Sequence, residues 1–489
     1  MADNGQDRTD GAPHVVVVGG GIAGLAAAFY LKDEPVRVTV LEGASRLGGK
    51  LAVSEVAGVA VDEGAEALYA RRPKTTGLLK AAGLGDRITL AGTKAAAVWT
   101  RNEIRSLPGR QIMGVPGDLD ELARTGILSA DGVARARQDS DLPPSDRDGD
   151  VSVAAYVAGR LGQEVVDRLV DPFVNDVYAG RAEELSFEAT LTPLAAASRR
   201  YPSLAAAAAS VTPPPDPAEE KMPPGIATLT GGLGTLPDHL AEVVLAASPG
   251  AAVRTGATVT ELARSARGWR LTVESAAGPE HIDADAVVVA VPAGPAGRLL
   301  AGVPGATQAA TGLAEIPYAD TAIITLAYPR TAFPGELTGR RLSGYRVPAV
   351  DGRTVSAVTF TTVKWPHLAG EVEIVRCQAG RVGDEKLLQR DDADLAAVAA
   401  SELAEATGVT GGPVATRVTR WDGSLPQYTV GHPDRVARIR ASVAEQPGLA
   451  VCGAAYDGVG VGTSIATARK AADQVLAFLR KDAAAPAAR

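Results

Sequence analysis

The chain has 489 residues, of which 46% are hydrophobic and 22% charged, and a formal net charge of −8. That apolar share excludes disorder as a description of the whole chain, and the length allows about three domains with a large buried core; the acidic balance excludes a generally nucleic-acid-binding surface. Two cysteines, Cys377 and Cys452, make no disulfide framework, and the five histidines show no metal-ligand spacing.

Residues 1–13 read as a polar, disordered tail without a secretory pattern. No apolar run is long enough to span a bilayer, so a cytoplasmic protein is expected. HVVVVGG (14–20) has the continuous apolar character of a buried parallel strand, IAGLAAAFYLK (22–32) that of a helix, and VRVTVL (36–41) that of a second strand, together a βαβ unit. A helix is expected over 74–82, stopped by Gly83. Residues 115–192 look largely helical, with Asp150 as N-cap of a helix over 152–170. An Ala-rich stretch then runs into the PPPDP loop, within 195–224. A Gly-rich turn near 231–234 leads into a helix. Strands are expected over 253–262, 269–274 and 285–291, and TAIITLAYP, VSAVTFTTVKW and VEIVRCQAG suggest an antiparallel sheet. The chain closes with a helix over 391–406, a strand 449–452, a Gly-rich turn 453–462, a helix 464–479 and a disordered AAAPAAR tail.

Gly19, Gly21 and Gly24 fit G-x-G-x-x-G between a strand and a helix, and Glu42 ends the next strand. This is the context of a dinucleotide site: Gly19 for the tight turn, Gly21 for approach of a pyrophosphate to the helix N-terminus, Glu42 for ribose hydroxyls. A carboxylate there disfavours a 2′-phosphate.

Glu42, Arg46, Gly48, Gly49 and Lys50 then resemble the E-x(3)-R-x-GG element of FAD-dependent oxidoreductases of the amine oxidase and protoporphyrinogen oxidase group. VDEGAE, with Gly64, Ala65 and Glu66, resembles the segment that approaches the isoalloxazine in that group. The strand around Val259 resembles its adenine-side strand, and the turn holding Gly453, Val459, Gly460 and Val461 resembles the one that touches the flavin ring. Longer blocks are similar to those of bacterial porphyrinogen oxidases: SLPGRQIMGVP (106–116), DPFVNDVYAG (171–180), TGGLGTL (230–236), and Trp421 with LPQY and Gly431-His432. Asn175-Asp176 departs from the family's small residues at that place, and 115–150 looks shortened and acidic relative to the family's membrane-associated region.

The resemblance implies an α/β fold: a Rossmann-like FAD-binding domain (1–64, 222–295, 412–489), an inserted antiparallel-sheet substrate domain (65–110, 296–411) and a helical domain (111–221). It implies the soluble branch, in which coproporphyrinogen III is oxidised to coproporphyrin III with O2 as acceptor, and a transient contact with a ferrochelatase that uses the product. A tetracarboxylate needs cations. Arg71 and Arg72 are the first candidates, although a solvated charged turn explains them equally; Arg376 is a further one. Tyr178 either lines the pocket or packs in a core, and His432 either approaches the site or is a structural hydrogen-bonding residue. No catalytic dyad is evident, as expected if the flavin does the chemistry. Protoporphyrinogen oxidase, an amine oxidase or desaturase of the same fold, and a non-catalytic flavin-binding partner are the competing readings.

Overall fold

Four consecutive valines, Val15–Val18, can be buried on both sides only in the middle of a sheet, and they lie there. In the computed structural model, which describes residues 11–70, 73–144, 149–212, 225–266, 268–334 and 342–484, strand His14–Val18 pairs in parallel with Arg37–Leu41 and Ala286–Val289. Ala252–Arg254 and Leu449–Val451 extend that sheet to five parallel strands. Helix Ile22–Leu31 covers one face, packed under helices Leu236–Ala247 and Val461–Ala484. A three-stranded antiparallel sheet (Thr258–Ser265, Gly268–Ser275, Gly278–Ala284) and helices Ala293–Ala301 and Thr307–Ala314 cover the other. The expected tails, apart from a few residues at their inner ends, the prolines of 213–224, and Arg71 and Arg72 lie outside the described residues.

The period-two segments form a seven-stranded sheet in the order Ala415–Pro426, Tyr318–Pro329, Val372–Ala379, Val355–Phe360, Gly344–Arg346, Ala97–Thr100, Glu103–Ser106. One face is sealed by helix Asp392–Thr407, which Asp391 caps and Gly408 ends in the left-handed conformation. Strand Ala415–Pro426 belongs to this sheet, so the boundary expected at 412 moves: pairing with Tyr318–Pro329 claims those residues.

Helices between 119 and 211 pack around their own apolar cluster. The single helix expected over 152–170 is broken at Gly162 (φ +94°), where the chain turns before resuming. Its cap is Ser152, whose hydroxyl accepts from Ala155 N; Asp150 instead accepts from Gly431 N at 2.7 Å. Residues 111–112 and 115–116 form a small hairpin rather than helix. Among the described residues no helix is long and apolar enough to cross a membrane.

Candidate active site

Gly19 and Gly24 are each required by a different protein neighbour, and Gly21 by none. Gly19 has φ +112°, and a Cβ there would lie 2.8 Å from the Ala290 carbonyl oxygen. A Cβ on Gly24 would lie 1.8 Å from the Gly19 carbonyl oxygen, so helix and strand could not pack. Gly20, which the motif leaves open, is as constrained: its Cβ would meet the Leu47 and Glu42 side chains at 2.7 and 2.8 Å. Gly21 alone has nothing within 4 Å of a Cβ, which leaves an open cradle at the N-terminus of helix Ile22–Leu31. That cradle and its free N–H groups fit a pyrophosphate.

Glu42 anchors the loop, accepting from Gly20 N and Ala44 N at 2.7 Å each and keeping a lone pair on each oxygen for ribose hydroxyls. Gly256 N and Ala257 N donate to the Ala44 and Glu42 carbonyls at 2.8 Å, which brings the Val259 strand alongside. Gly48 N donates to Gly20 O at 2.9 Å. Arg46 donates to the carbonyls of Leu47, Gly49 and Leu51 (2.9, 2.7 and 3.1 Å) and lies over the Trp421 ring. Its guanidinium therefore shapes the glycine turn. Lys50 also faces that ring, and burial lowers its pKa. At the other end of the chain, Gly453 (φ +126°) lies beside Ala23 and donates to the Thr467 hydroxyl at 3.0 Å. Gly460 and Val461 open the last helix, and Val459 packs toward the helical region. Cys452 is fully buried with its thiol pushed up to about 12, an inert core residue.

The segment 62–66 is held by charges from distant strands. A Cβ on Gly64 would lie 2.0 Å from Lys50 O, and Ala65 N donates to that carbonyl at 3.3 Å. Trp421 Nε1 donates to Glu63 O at 2.8 Å, and the Glu63 carboxylate takes Arg417 at 2.9 Å with the Ser54 and Thr419 hydroxyls. Glu66 is gripped by Lys364 and by Arg376 at 2.6 Å; burial would raise its pKa, but these two cations outweigh it and leave it at about 2. Arg376 also donates to Gly64 O at 2.7 Å. Expected to hold substrate carboxylates, Arg376 is instead committed to the backbone and acid of this segment. Asp62 behaves oppositely: burial pushes it up to about 6, against N–H donors from Leu233 and Gly234.

The sheet face that carries Arg376 is less buried than its reverse. Register places Arg346, Ala357, Gln378 and Ile323 in one row across it, and Thr359, Arg376 and Thr325 in the next. Arg346, Gln378, Ile323 and Thr359 are half-buried, whereas Ile324, Val358, Val375 and Cys377 on the reverse are sealed. Over this open face stand segment 62–66 at one end and helix Asp171–Tyr178 at the other, the latter touching it through Asn175 O to Gln378 (3.4 Å) and Asp176 to Arg346 (2.6 Å). The half-buried sheet face between them is the candidate substrate surface. Arg346 carries no local sequence signal; only the sheet register reveals it.

Tyr178 is packed rather than displayed: it is 6% exposed, 5.5 Å from the Tyr428 ring, and burial, with Tyr69 nearby, pushes its phenol to about 12. Tyr428 stacks at 4.0 Å on His432, which burial holds at about 4 and whose Nε2 faces Tyr456 O. His432 is thus a buried stacking residue at the start of helix His432–Ala444, with burial favouring its neutral form.

A family model described as flavin containing amine oxidoreductase matches residues 22–476. A coproporphyrinogen III oxidase of Mycobacterium tuberculosis is 35% identical over 474 residues, covering 95% of this chain and 97% of that protein. One of Bacillus subtilis is 30% identical over 481 residues, covering 96% and 99%. A crystal structure from Exiguobacterium sp. 255-15, provisionally named a protoporphyrinogen oxidase, superposes with a TM-score of 0.80 at 28% identity, covering 95% of this chain and 98% of that one.

Proposed function

Since this chain belongs to the flavin-containing amine oxidoreductase family, we propose that it oxidises coproporphyrinogen III to coproporphyrin III with FAD as cofactor and dioxygen as the final acceptor. The observation that carries this reading is the open sheet face, which sets a polar, guanidinium-bearing surface opposite the segment 62–66. A macrocycle with four carboxylates needs such a surface, and the names of the near-full-length relatives point to that substrate.

Porphyrinogen and three dioxygen molecules give porphyrin and three hydrogen peroxide, a loss of six electrons and six protons. When bound, the flavin supplies the two-electron acceptor for each of three cycles. The protein supplies position. Gly21 and the helix start take the pyrophosphate, Glu42 the ribose, and Gly48, Gly49, Gly453 and Gly460 give the remaining backbone approach. Glu66, fixed by Lys364 and Arg376, holds segment 62–66 rigid. Glu66 is ion-paired and His432 is buried and neutral, so neither acts as general base; three meso carbons each give up a hydride, and the three accompanying protons leave two pyrrole nitrogens and the fourth meso carbon. Arg71 and Arg72, next to strand Leu68–Tyr69 in sequence, are further cations for the carboxylates. A cytoplasmic location and hand-over of product to a ferrochelatase belong to the same reading.

The test is side-by-side turnover of coproporphyrinogen III and protoporphyrinogen IX by the purified flavoprotein, followed by porphyrin fluorescence and peroxide release. Faster turnover of the tetracarboxylate with three peroxides per porphyrin is expected. A flavin-loaded protein that oxidises neither overturns the reading, and preference for the dicarboxylate replaces the substrate.

A further inference from the structure

The Arg346–Asp176 pair stands where this chain departs from the family pattern and has no part in holding segment 62–66. Arg346 lies on the open face of the seven-stranded sheet, two strands from Arg376 and one row along. Strand spacing and rise place the two guanidinium-bearing positions roughly 12 Å apart, the scale of a macrocycle with its side chains. The Arg346 guanidinium stacks 3.9 Å above the Phe173 ring and meets Asp176 at 2.6 Å. Both partners are part-exposed, with side-chain exposures of 21% and 27%, and Arg346 Nε is enclosed without a hydrogen-bond acceptor. Phe173 and Asp176 share helix Asp171–Tyr178, so one helix supplies both the platform under the guanidinium and its counter-ion.

An arginine kept this way is oriented but not saturated. The Phe173 ring lies against the guanidinium, Asp176 occupies one part of it, and donors remain for a second carboxylate. Arg376 differs in its terminal nitrogens, both of which are used, by Glu66 and by Gly64 O, although its Nε, like that of Arg346, has no acceptor. Strand Gly344–Arg346 is held by backbone pairing on both sides, so its register does not depend on which side chain residue 346 carries.

We propose that Arg346 is a substrate-binding residue that takes one carboxylate arm of the macrocycle, with Asp176 as the anion that holds the guanidinium in place and weakens its grip so that product can leave. This rests on the porphyrinogen reading above. Its electrostatic consequence is specific: Asp176 and the incoming carboxylate compete for one cation, so the two members of the pair have opposite effects on substrate affinity.

Steady-state kinetics on the FAD-loaded enzyme test this. In Arg346→Gln, KM for coproporphyrinogen III is expected to rise at least about tenfold with kcat within about threefold of wild type, and the salt dependence of KM to flatten. In Asp176→Asn, KM is expected to fall about two- to fivefold at low ionic strength. An Arg346→Gln enzyme with full flavin content and KM within twofold of wild type overturns the proposal. Should Arg346→Gln fail to fold, Asp176→Asn decides alone: a lower KM supports the assignment, and an unchanged or higher one removes it. Wild-type enzyme is run in parallel. Failure of the wild type on both porphyrinogens breaks the reading on which the proposal rests, and an active wild type with unresponsive variants breaks only the proposal.

Discussion

Around Gly19–Gly24 the chain is fixed by backbone against backbone, whereas across the seven-stranded sheet it is fixed by charge against charge. In the first region a missing Cβ decides everything: Gly24 lets a helix rest on the carbonyl of Gly19, and Gly21 leaves room for something that is not protein. In the second, Glu63 and Glu66 are each met by cations from strands or turns some 300 or more residues away in the chain. Gly19 and Gly24 therefore admit no added Cβ, and Glu66 admits no loss of its charge while Lys364 and Arg376 stay in place. Steric exclusion is local and short-ranged, so it writes a motif. Charge compensation is satisfied by any cation that the fold delivers, so it writes none.

The largest expected effect separates two glycines that a sequence motif treats alike. Gly24→Ala drives a Cβ into the Gly19 carbonyl and should cost several kcal/mol, so little soluble, flavin-bearing protein is recovered. Gly21→Ala meets no protein atom and should fold with a near-normal Tm as apoprotein, yet bind FAD at least about tenfold more weakly. Flavin absorbance and the melting of the apoproteins read both; equal behaviour of the two variants would erase the distinction.

On the charge side, Glu66→Gln leaves Lys364 and Arg376 buried without their anion and should cost about 3–5 kcal/mol in urea unfolding. The pH dependence sharpens this further, because Glu66 and Asp62 act with opposite sign. Glu66 is held at about 2, so its stabilisation is present above the ordinary carboxylate value and is lost as pH falls toward 2. Asp62 is raised to about 6, so the fold prefers it protonated, and stability falls as pH rises from about 4 through 6. Glu66→Gln should flatten the first limb and Asp62→Asn the second, each by on the order of 3 kcal/mol. An Asp62→Asn protein with the wild-type slope between pH 4 and 6 contradicts the buried placement of that carboxyl.

The smallest effect concerns His432. Burial holds it at about 4, so His432→Gln should leave the kcat–pH profile between pH 5 and 8 unaltered while lowering Tm by a few degrees through loss of stacking on Tyr428. A displaced inflection in that range would return the histidine to the reaction.

The βαβ unit, the glycine turn at 48–49, the strands of the parallel sheet and three of the seven strands of the antiparallel one were legible in the sequence because each is written in neighbouring residues. The period-two segments even announced their antiparallel pairing, although not that Ala415–Pro426 would join them. Asp150 looked like a helix cap because acceptors before an apolar run usually are; two residues on, Ser152 takes that part and Asp150 reaches Gly431 instead. Arg376 looked like a cation for substrate because its partner Glu66 lies 310 positions earlier, and no spacing rule links them. Arg346 had no signal at all, since what makes it notable is the register of three strands and a helix from another layer.

The first helix and the last one, Ile22–Leu31 and Val461–Ala484, lie against each other. About 430 residues must be synthesised between them, which at ribosomal rates of about 5–20 residues per second takes roughly 20 to 90 s. Throughout that interval the apolar face of the first helix, with Leu25, Ala28 and Phe29, lacks its final cover. An FAD site that needs both Gly21 and Gly453 is therefore completed late, when the last helix docks on the first.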